Sequence, residues 1–287
     1  MQDIRTVGII AKPHSDRAAR IVPEVIRWLH ERGIETRLDR ESAAYAGSDQ
    51  GIPRDCVAEG TQLLVVLGGD GTLLSAARAA IGRNLPLFAV NLGGLGFLTA
   101  IKVEELYPQL ERVLRGECEL SERRMMHTEL WRGDLRIASY EALNDMVLAK
   151  SEIARMIDLE VHVFGHFMCV FKADGLIVST PTGSTAYSLS AGGPILFPTV
   201  AGYSITPICP HTLTHRPVIV PDDCVIEVIQ HSESASIYMT IDGQVGETLK
   251  PGDRVVCQKS QYSVSLVRPP GLVFFDVLRE KLKWGGR

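Results

Sequence analysis

One carboxylate, Asp70, lies among glycines in the run GGDGT at 68–72. The fully apolar residues 63–67 precede this run and the strong helix formers of 73–81 follow it, which predicts a buried strand, a tight loop and a helix. The amino end of a helix favours a phosphate, because its N–H groups and its dipole both attract an anion. A carboxylate beside that phosphate suits a group that accepts a proton or holds a metal. The alternative is a turn in which Asp-Gly only satisfies the backbone geometry.

The elements around this loop alternate between strand and helix. A second glycine-rich turn, NLGGLGF at 91–97, also follows a predicted strand. Both loops would open at the carboxyl edge of one parallel sheet, where α/β proteins bind ligands. We therefore predict an N-terminal α/β domain with a doubly wound, mostly parallel sheet. Its predicted strands are 6–11, 34–39, 62–67 and 85–90, and its predicted helices are 17–32, 73–81 and 103–115. Pro23 fits the first of these helices best if it falls in the first turn.

The character of the chain changes near residue 120. From Arg124 to Arg268 it contains many short runs rich in β-branched and aromatic residues, several of them separated by turn signals such as KPGD. This pattern predicts an all-β, sandwich-like C-terminal domain. The expected domains are 1–122, which carries the GGDGT loop, and 123–268, with a tail, 269–287, that packs back on the first domain. Within the β region, Ser184 to Ala191 predicts one short helix.

Composition limits the classes of partner. The chain has 287 residues and a net charge of −4, which gives no electrostatic reason to expect a nucleic acid or a membrane as partner. The six cysteines are scattered without a C-x-x-C pair, as is typical of reduced cytosolic thiols. The eight histidines show no metal-ligand spacing, so no metal site is assigned to the protein. The sequence shows neither a signal peptide nor a long apolar span, which predicts a cytoplasmic location.

Several well-known catalytic motifs are absent from the sequence. It has no Walker-type G-x-x-x-x-G-K-[ST] loop, no H-E-x-x-H pair and no G-x-S-x-G elbow. Neither glycine-rich turn fits the dinucleotide fingerprint G-x-G-x-x-G. The chemistry therefore has to be assigned from a different set of motifs.

That set resembles the motifs of bacterial NAD kinases, and the resemblance covers nearly the whole chain. The GGDGT run alone is shared with lipid kinases of the diacylglycerol and sphingosine type and with phosphofructokinases. The long run TPTGSTAYSLSAGGP at 180–194 is the part that discriminates. The matching residues, in chain order, are Gly68 to Thr72, Asn91 to Gly93 with Gly96 and Phe97, Asn144-Asp145, Asp174-Gly175, Thr180 to Pro194, Pro210-His211, Arg216-Pro217 and Asp242-Gly243-Gln244.

The resemblance implies the two-domain NAD kinase fold and a phosphoryl transfer. The γ-phosphoryl group of ATP would pass to the 2′-hydroxyl of the adenosine ribose of NAD, giving NADP. Such a transfer needs positioning, charge neutralisation by a divalent metal and a group that accepts the hydroxyl proton. Asp70 is the implied proton acceptor. Mg²⁺ is the expected metal, brought with ATP and held mainly by phosphates and water.

The family pattern also implies binding residues. For NAD these are Asp70, Gly71, Asn144, Asp145, Arg155, Lys172, Asp174, Thr185, Ala186, Tyr187, Ser188, Leu189, Ser190 and Gln244. For the phosphates of ATP they are Gly68, Gly69, Gly71 and Thr72, with Phe97 as a candidate contact of the adenine. The alternatives are turns for Asn144-Asp145 and Gln244, and a solvated surface position for Arg155.

Two other functions stay open at this point. A lipid kinase would share GGDGT, but the 180–194 run and the lack of an evident amphipathic membrane-binding stretch argue against it. A non-catalytic dinucleotide sensor would keep the fold but would not need Asp70. Members of the family are usually homodimers or homotetramers, and the same is expected here, with NAD and ATP as small-molecule partners.

Overall fold

The computed structural model describes residues 3–94, 96–150, 156–232, 236–271 and 273–284. The chain falls into two compact units. The first is formed by Met1–Glu122 with Ser263–Arg287, and the second by Arg123–Tyr262. Each unit has its own hydrophobic core.

The first unit begins as an alternation of strands and helices. Its elements in chain order are β1 (Thr6–Ala11), α1 (Asp16–His30), β2 (Glu35–Leu38), α2 (Arg40–Tyr45), β3 (Leu63–Gly68), α3 (Asp70–Ala79), β4 (Pro86–Asn91), β5 (Ile101–Lys102), α4 (Leu106–Leu114) and the start of β6 (Glu119–Arg132). The core residues of these elements include Val7, Ile9, Leu63, Val65, Leu67, Phe88 and Val90 from strands and Val22, Val25, Leu29, Leu106, Leu110 and Val113 from helices.

The strands of this unit are parallel and follow the order β2-β1-β3-β4, with β5 beside β4. β1 therefore lies between β2 and β3. The connection from β1 to β2 runs toward one edge of the sheet, whereas the connection from β3 to β4 runs toward the other. In a doubly wound sheet such a reversal marks the switch point at which ligands bind, outside the carboxyl ends of the strands. The loop after β3 opens at that edge. The predicted α/β fold with a parallel sheet is confirmed.

β3 and α1 illustrate why these segments fold as they do. Every residue of β3, LLVVLG, is buried, as is typical of a central strand in a parallel sheet. α1 is capped by the side chain of Ser15 and buries Val22, Val25 and Leu29 on one face. Pro23 lies in the interior of α1 and not in its first turn. The cap and the buried face offset the backbone hydrogen bond that proline cannot donate.

The second unit is built almost entirely of strands. After β6 its elements are β7 (Leu135–Ala142), β8 (Asp145–Lys150), β9 (Ile157–Val163), β10 (His166–Ala173), β11 (Gly175–Ser179), the short α5 (Tyr187–Ser190), β12 (Gly202–Ile208), β13 (Val218–Pro221), β14 (Ile226–Gln230), β15 (Ile237–Ile241), β16 (Val245–Leu249) and most of β17 (Arg254–Arg268). The helix predicted from Ser184 to Ala191 was wrong in extent. A single 3-10 turn, Gly183–Thr185, precedes α5, and the two are separated at Ala186, whose φ and ψ of −99° and −127° are not helical.

The strands of the second unit form two layers around one core. One layer is antiparallel with the order β13-β12-β11-β8-β15-β16. The other contains the antiparallel run β10-β9-β14-β17 and the β6–β7 hairpin. β9 and β14 alternate buried and half-buried residues, as strands with one buried face do. Both layers contribute to the core, which includes Met146, Leu148, Val178, Leu159, Phe171, Ile226 and Val255. The predicted sandwich-like β architecture is confirmed.

The end of the chain belongs to the first unit. Ser265 and Leu266 of β17 pair in parallel with β4, and α6 (Phe274–Leu282) follows, with Val277 and Leu278 buried. This division places 263–268 in the first unit, whereas the sequence had suggested a boundary after 268. In the described ranges, no helix combines the length and the apolar character that a bilayer span requires.

Candidate functional site

The glycine-rich loop joins β3 to α3, and Asp70 is the first residue of that helix. A Cβ on Gly68 would lie 2.3 Å from Oγ1 of Thr72, so only glycine allows this close approach of strand and helix. Thr72 is accordingly buried, with 8 % of its surface exposed. A Cβ on Gly69 or Gly71 would meet nothing within 4 Å. Neither glycine places a side chain over the start of α3, and the start of a helix suits an anion.

The Asp70 carboxylate is fixed by four hydrogen bonds from the segment 97–99. Oδ1 accepts from the Leu98 N–H at 3.2 Å. The same oxygen accepts from the Thr99 N–H at 3.1 Å and from the Thr99 hydroxyl at 3.0 Å. Oδ2 accepts from the Phe97 N–H at 3.0 Å. Because a carboxylate has about four acceptor sites, two on each oxygen, these donors fill Oδ1 and leave capacity on Oδ2.

Gly96 allows the segment to approach this carboxylate. A Cβ on Gly96 would lie 2.2 Å from Oδ1 of Asp70 and 2.2 Å from Oγ1 of Thr99. The Gly96 N–H donates to the Thr99 carbonyl at 3.3 Å, which closes the turn. Asp70 thus joins the two glycine-rich loops predicted from the sequence. That arrangement is more specific than a turn in which Asp-Gly serves only the backbone.

Phe97, the candidate adenine contact, is half-buried at the same turn. Nζ of Lys281, on α6, lies 5.8 Å from the centroid of its ring, within the range of a cation–π contact. The first unit therefore brings together the GGDGT loop, Phe97 and a cation from the last helix. The sequence pattern gave no reason to single out Lys281.

In the second unit, Asn144 and Asp145 form a turn at the start of β8 that is held by Asp242. Oδ1 of Asp242 accepts from the Asn144 N–H at 2.7 Å and from the Asp145 N–H at 3.1 Å. Oδ2 of Asp242 accepts from the Leu143 N–H at 3.1 Å. Asp242 and Gly243 have φ of 52° and 64° in the loop between β15 and β16, and Asp-Gly favours a tight turn with positive φ at two successive residues. This hairpin therefore orients the Asn-Asp turn.

Both side chains of that turn are buried polar groups. Asp145 is 4 % exposed, and its burial, followed by the nearby negative charge of Asp242, raises its pKa to about 7. Near neutral pH its carboxyl group exists in both forms, so it both accepts and donates hydrogen bonds. Oδ1 of Asn144 is buried and, within the part of the chain that the structure describes, has no hydrogen-bond partner. A buried acceptor without a donor costs free energy, so this turn is suited to receive a ligand with hydroxyl or amino donors.

The Ser/Thr-rich segment packs directly on this turn. The Thr180 hydroxyl donates to the Leu143 carbonyl at 2.6 Å, and the Thr180 N–H donates to the Asn144 carbonyl at 2.9 Å. A Cβ on Gly183 would lie 2.1 Å from the Asn144 carbonyl oxygen, so glycine is required where the two backbones meet. The Asn-Asp turn and the segment from Thr180 onward form one hydrogen-bonded layer.

The predicted binding residues of 185–190 differ in their exposure. Tyr187 is 46 % exposed, and Ser190 is exposed as well. Ser188 is buried, and its Oγ lies 3.2 Å from the hydroxyl oxygens of both Ser204 and Thr206. A ligand can therefore meet the side chains of Tyr187 and Ser190, whereas the Ser188 side chain serves the interior. The half-buried residues of this stretch are Thr185, Ala186 and Leu189.

The remaining predicted residues have other surroundings. Lys172 is exposed on β10, and Asp174 pairs with Lys150, whose Nζ lies 2.5 Å from its Oδ1. Gln244 is exposed at the β15–β16 hairpin, which its backbone N–H closes. Arg155 lies outside the described residues.

The described residues contain no cluster of three or more His, Cys, Asp or Glu side chains that could hold a metal ion. Asp70 could offer a cation only Oδ2, because Oδ1 already accepts three hydrogen bonds. A divalent cation at this loop would therefore need ligands from outside the protein, such as phosphate oxygens and water.

The sequence pattern assigned no role to four side chains that shape the site. They are Thr99, Asp242, Lys150 and Lys281. Asp242 stands in a motif of which only the glutamine was assigned to the site. Asp-Gly at φ > 0 was available as a signal of a tight hairpin, but a carboxylate that accepts hydrogen bonds from residues nearly a hundred positions away leaves no local pattern.

The order of the parallel strands and the glycine-rich loop with its fixed carboxylate fit a protein that binds a phosphorylated small molecule at this edge of the sheet. Family models make the class specific. The ATP-NAD kinase N-terminal domain matches residues 7–118, and the ATP-NAD kinase C-terminal domain matches residues 143–269. The chain belongs to the ATP-NAD kinase family.

Individual relatives agree with this assignment. The NAD kinase of Solibacter usitatus is 59 % identical over 287 residues, which cover 100 % of both chains. The NAD kinase of Koribacter versatilis is 47 % identical over 285 residues, 99 % of this chain and 100 % of that one.

Solved structures show the same fold. The crystal structure of a yeast NADH kinase complexed with NADH superposes with a TM-score of 0.91 at 27 % identity, covering 100 % of this chain and 90 % of that one. An NAD kinase from Archaeoglobus fulgidus in complex with ATP gives a TM-score of 0.76 at 24 % identity, over 96 % of this chain and 99 % of that one, and it supports the fold alone.

Proposed function

We propose that this chain transfers the γ-phosphoryl group of ATP to the 2′-hydroxyl of the adenosine ribose of NAD, with NADP and ADP as products. Membership of the ATP-NAD kinase family supports this reaction. The observation that carries the proposal is the Asp70 carboxylate, which lies at the start of α3 with Oδ1 filled and Oδ2 available. A fixed acceptor beside a phosphate-type loop fits a hydroxyl nucleophile.

In the proposed step, Asp70 orients the hydroxyl and takes its proton. The 2′-oxygen forms a bond to the γ-phosphorus, the bond from that phosphorus to the β–γ bridging oxygen breaks, and ADP leaves with the electron pair of the broken bond. Little covalent chemistry is asked of the protein in phosphoryl transfer, so positioning and charge stabilisation carry most of the rate.

The loop residues Gly68, Gly69, Gly71 and Thr72 are proposed to face the phosphates of ATP. The position of the loop at the start of α3, with no side chain at Gly69 or Gly71 to cover it, supports this role. Thr72 contributes through its backbone in this proposal, because its side chain is buried against Gly68. Mg²⁺, bound to ATP by phosphate oxygens and water, would neutralise the charge that develops on the transferred group.

The second unit is proposed to bind the dinucleotide. The unpartnered Oδ1 of Asn144 and the buried carboxyl of Asp145 suit ribose hydroxyls, and the exposed ring of Tyr187 offers a flat face for a base. Similarity to the yeast enzyme complexed with NADH supports a dinucleotide as ligand. The other residues assigned to NAD from the family pattern stay predictions: Gly71, Arg155, Lys172, Asp174, Thr185, Ala186, Ser188, Leu189, Ser190 and Gln244, with Phe97 at adenine.

The experiment is a direct assay of NADP formation from NAD, ATP and Mg²⁺ with wild type, Asp70→Asn and Asp70→Ala. We expect product from wild type and a loss of kcat of about 10²–10⁴-fold in both variants, with binding of NAD retained in calorimetry. Asp16→Asn is the matched control, because Asp16 is also the first residue of a helix and is exposed.

The outcomes separate the parts of the proposal. A wild-type kcat in Asp70→Asn would contradict the role of Asp70 as proton acceptor, but the proposed reaction would still stand. A wild type that forms no NADP would refute the function, and assays with lipid acceptors and a search for sensor activity would follow.

Assembly into a homodimer or homotetramer and a cytoplasmic location stay predictions from the family resemblance and the composition. Light scattering coupled to size-exclusion chromatography measures the first. Fractionation of the source cells measures the second.

A further inference from the structure

Two buried side chains form a hydrogen-bonded chain that ends on Asp70. Nδ2 of Asn91, the last residue of β4, lies 2.7 Å from Oγ1 of Thr99. That hydroxyl oxygen lies 3.0 Å from Oδ1 of Asp70. Asn91 is 5 % exposed and Thr99 is 0 % exposed, so water does not compete for these bonds.

The direction of each bond follows from the donors present. The Gly93 N–H, which can only donate, lies 2.7 Å from Oδ1 of Asn91. The amide oxygen of Asn91 therefore faces Gly93, and its amino group faces Thr99. Oγ1 of Thr99 accepts from that amino group, which directs the hydroxyl hydrogen toward Asp70. An ionised carboxylate only accepts, so every member of the chain is satisfied.

The two oxygens of Asp70 are used unequally. Thr99 supplies two of the three donors on Oδ1, one from its backbone and one from its side chain. Oδ2 receives a single donor, the Phe97 N–H. A carboxylate turned out of this plane would lose the Thr99 hydroxyl, which is the one side-chain donor among these four bonds. The side chain of Thr99 therefore contributes to the direction in which the free acceptor site on Oδ2 points.

We propose that Thr99, oriented by Asn91, is a positioning residue that holds Asp70 with Oδ1 filled and Oδ2 free to take the proton of the acceptor hydroxyl. This inference rests on the proposed function and adds to it the atom that accepts the proton. Thr99 acts through Asp70 and need not touch substrate. Since a displacement of about 1 Å at the reacting groups costs about 100-fold in rate, loss of one hydroxyl here is expected to appear in kcat.

The test compares Thr99→Val, Thr99→Ser and wild type in steady-state assays of NADP formation. Valine keeps the size and the backbone N–H but removes the hydroxyl, and we expect kcat to fall about 10- to 100-fold with KM for NAD and ATP within about twofold. Serine keeps the hydroxyl, and we expect it to restore kcat to within about threefold.

Thr61→Val is the matched control. Thr61 is also a buried threonine of the first unit, 6 % exposed, and its hydroxyl donates to the Ala58 carbonyl at 3.1 Å. This variant also removes a buried threonine hydroxyl, which makes one hydrogen bond where the Thr99 hydroxyl makes two. Its Tm is therefore expected to fall while kcat and KM stay at wild-type values. Thermal melts of all variants separate folding from turnover, and Thr99→Ala replaces Thr99→Val if the valine variant does not melt cooperatively.

Each outcome decides the inference. A selective loss of kcat in Thr99→Val with recovery in Thr99→Ser supports it. Unchanged kcat in Thr99→Val beside an active wild type, or an equal loss in Thr61→Val or Thr99→Ser, overturns it and leaves the proposed function standing. A wild type that forms no NADP overturns both.

Discussion

At the scale of single residues, burial of the carboxyl group of Asp145 has an electrostatic cost in the proposed dinucleotide site. Burial together with the charge of Asp242 raises the pKa of this group from 3.8 to about 7. The unfolded chain releases this proton at lower pH than the folded chain does. Between these two values the folded state therefore binds more protons, and the free energy of unfolding decreases as the pH rises.

Asp145→Asn should remove this cost. The variant is expected to melt at a higher temperature than wild type near pH of about 8, by about 2–4 °C for each kcal/mol recovered, and the difference should shrink as the pH falls toward about 4. Its affinity for NAD should fall at least about tenfold, because the amide replaces one of the two carboxylate oxygens by an NH₂ donor and removes the negative charge. Calorimetric melts across this pH range and NAD titrations check both halves.

A difference in Tm that stays constant with pH would contradict the assigned cause, because only a titrating group gives a slope. Higher stability together with weaker binding is the trade-off expected at a site whose buried polar groups are fully hydrogen-bonded only when a ligand is bound. Asp134→Asn, an exposed aspartate in the β6–β7 hairpin, is the matched control and should change neither Tm nor NAD affinity.

At the scale of elements, the turn 96–99 and the loop after β3 depend on each other through Gly96. The predicted Cβ clash with Asp70 and Thr99, at 2.2 Å each, involves two side chains that are hydrogen-bonded to each other. Neither can yield without moving the carboxylate. Glycine is therefore required at position 96 to leave room for the carboxylate of Asp70, more than to satisfy the backbone conformation of residue 96.

Gly96→Ala should lower kcat by about 100-fold or more, because the methyl group displaces Oδ1 of Asp70 from its donors. Gly94→Ala lies in the same loop, where a Cβ would meet nothing within 4 Å, and it should keep kcat within about twofold. Steady-state kinetics with circular dichroism melts compare the pair. Equal activity of the two variants would show that the 96–99 turn does not control Asp70.

Much of this element structure could be predicted from the sequence. The apolar run before Gly68 and the helix formers after Thr72 indicated β3 and α3, although the helix begins earlier than expected, at Asp70. Short β-branched runs indicated the sandwich. The sequence could not indicate that Thr99 and Asp242 organise the site, because their contacts join segments that no local periodicity relates.

At the scale of the whole molecule, the reactivity of the cysteine thiols can show whether the second unit is folded or open. None of the six cysteines forms a disulfide, and Cys224 and Cys257 lie in the core of the second unit. Burial raises the pKa of Cys224 to about 11 and that of Cys257 to about 12. Because the thiolate is the reactive form, these two thiols should react with an alkylating reagent only when the second unit opens, whereas the exposed Cys209 reacts in the folded state.

NAD should therefore slow the alkylation of Cys257. A ligand that binds only the folded state at about 100 times its Kd reduces the opened population about 100-fold, and the labelling rate follows when closing is faster than labelling. Mass spectrometry of Cys257 peptides measures the ratio of the labelling rate without NAD to the rate with NAD. The labelling rate at Cys209 verifies that the reagent is active. In Asn144→Ala, which removes the unpartnered acceptor of the proposed site, the ratio should fall toward one. If a preparation that forms NADP shows the same labelling rate of Cys257 with and without NAD, residues 123–262 are not the unit that binds the dinucleotide.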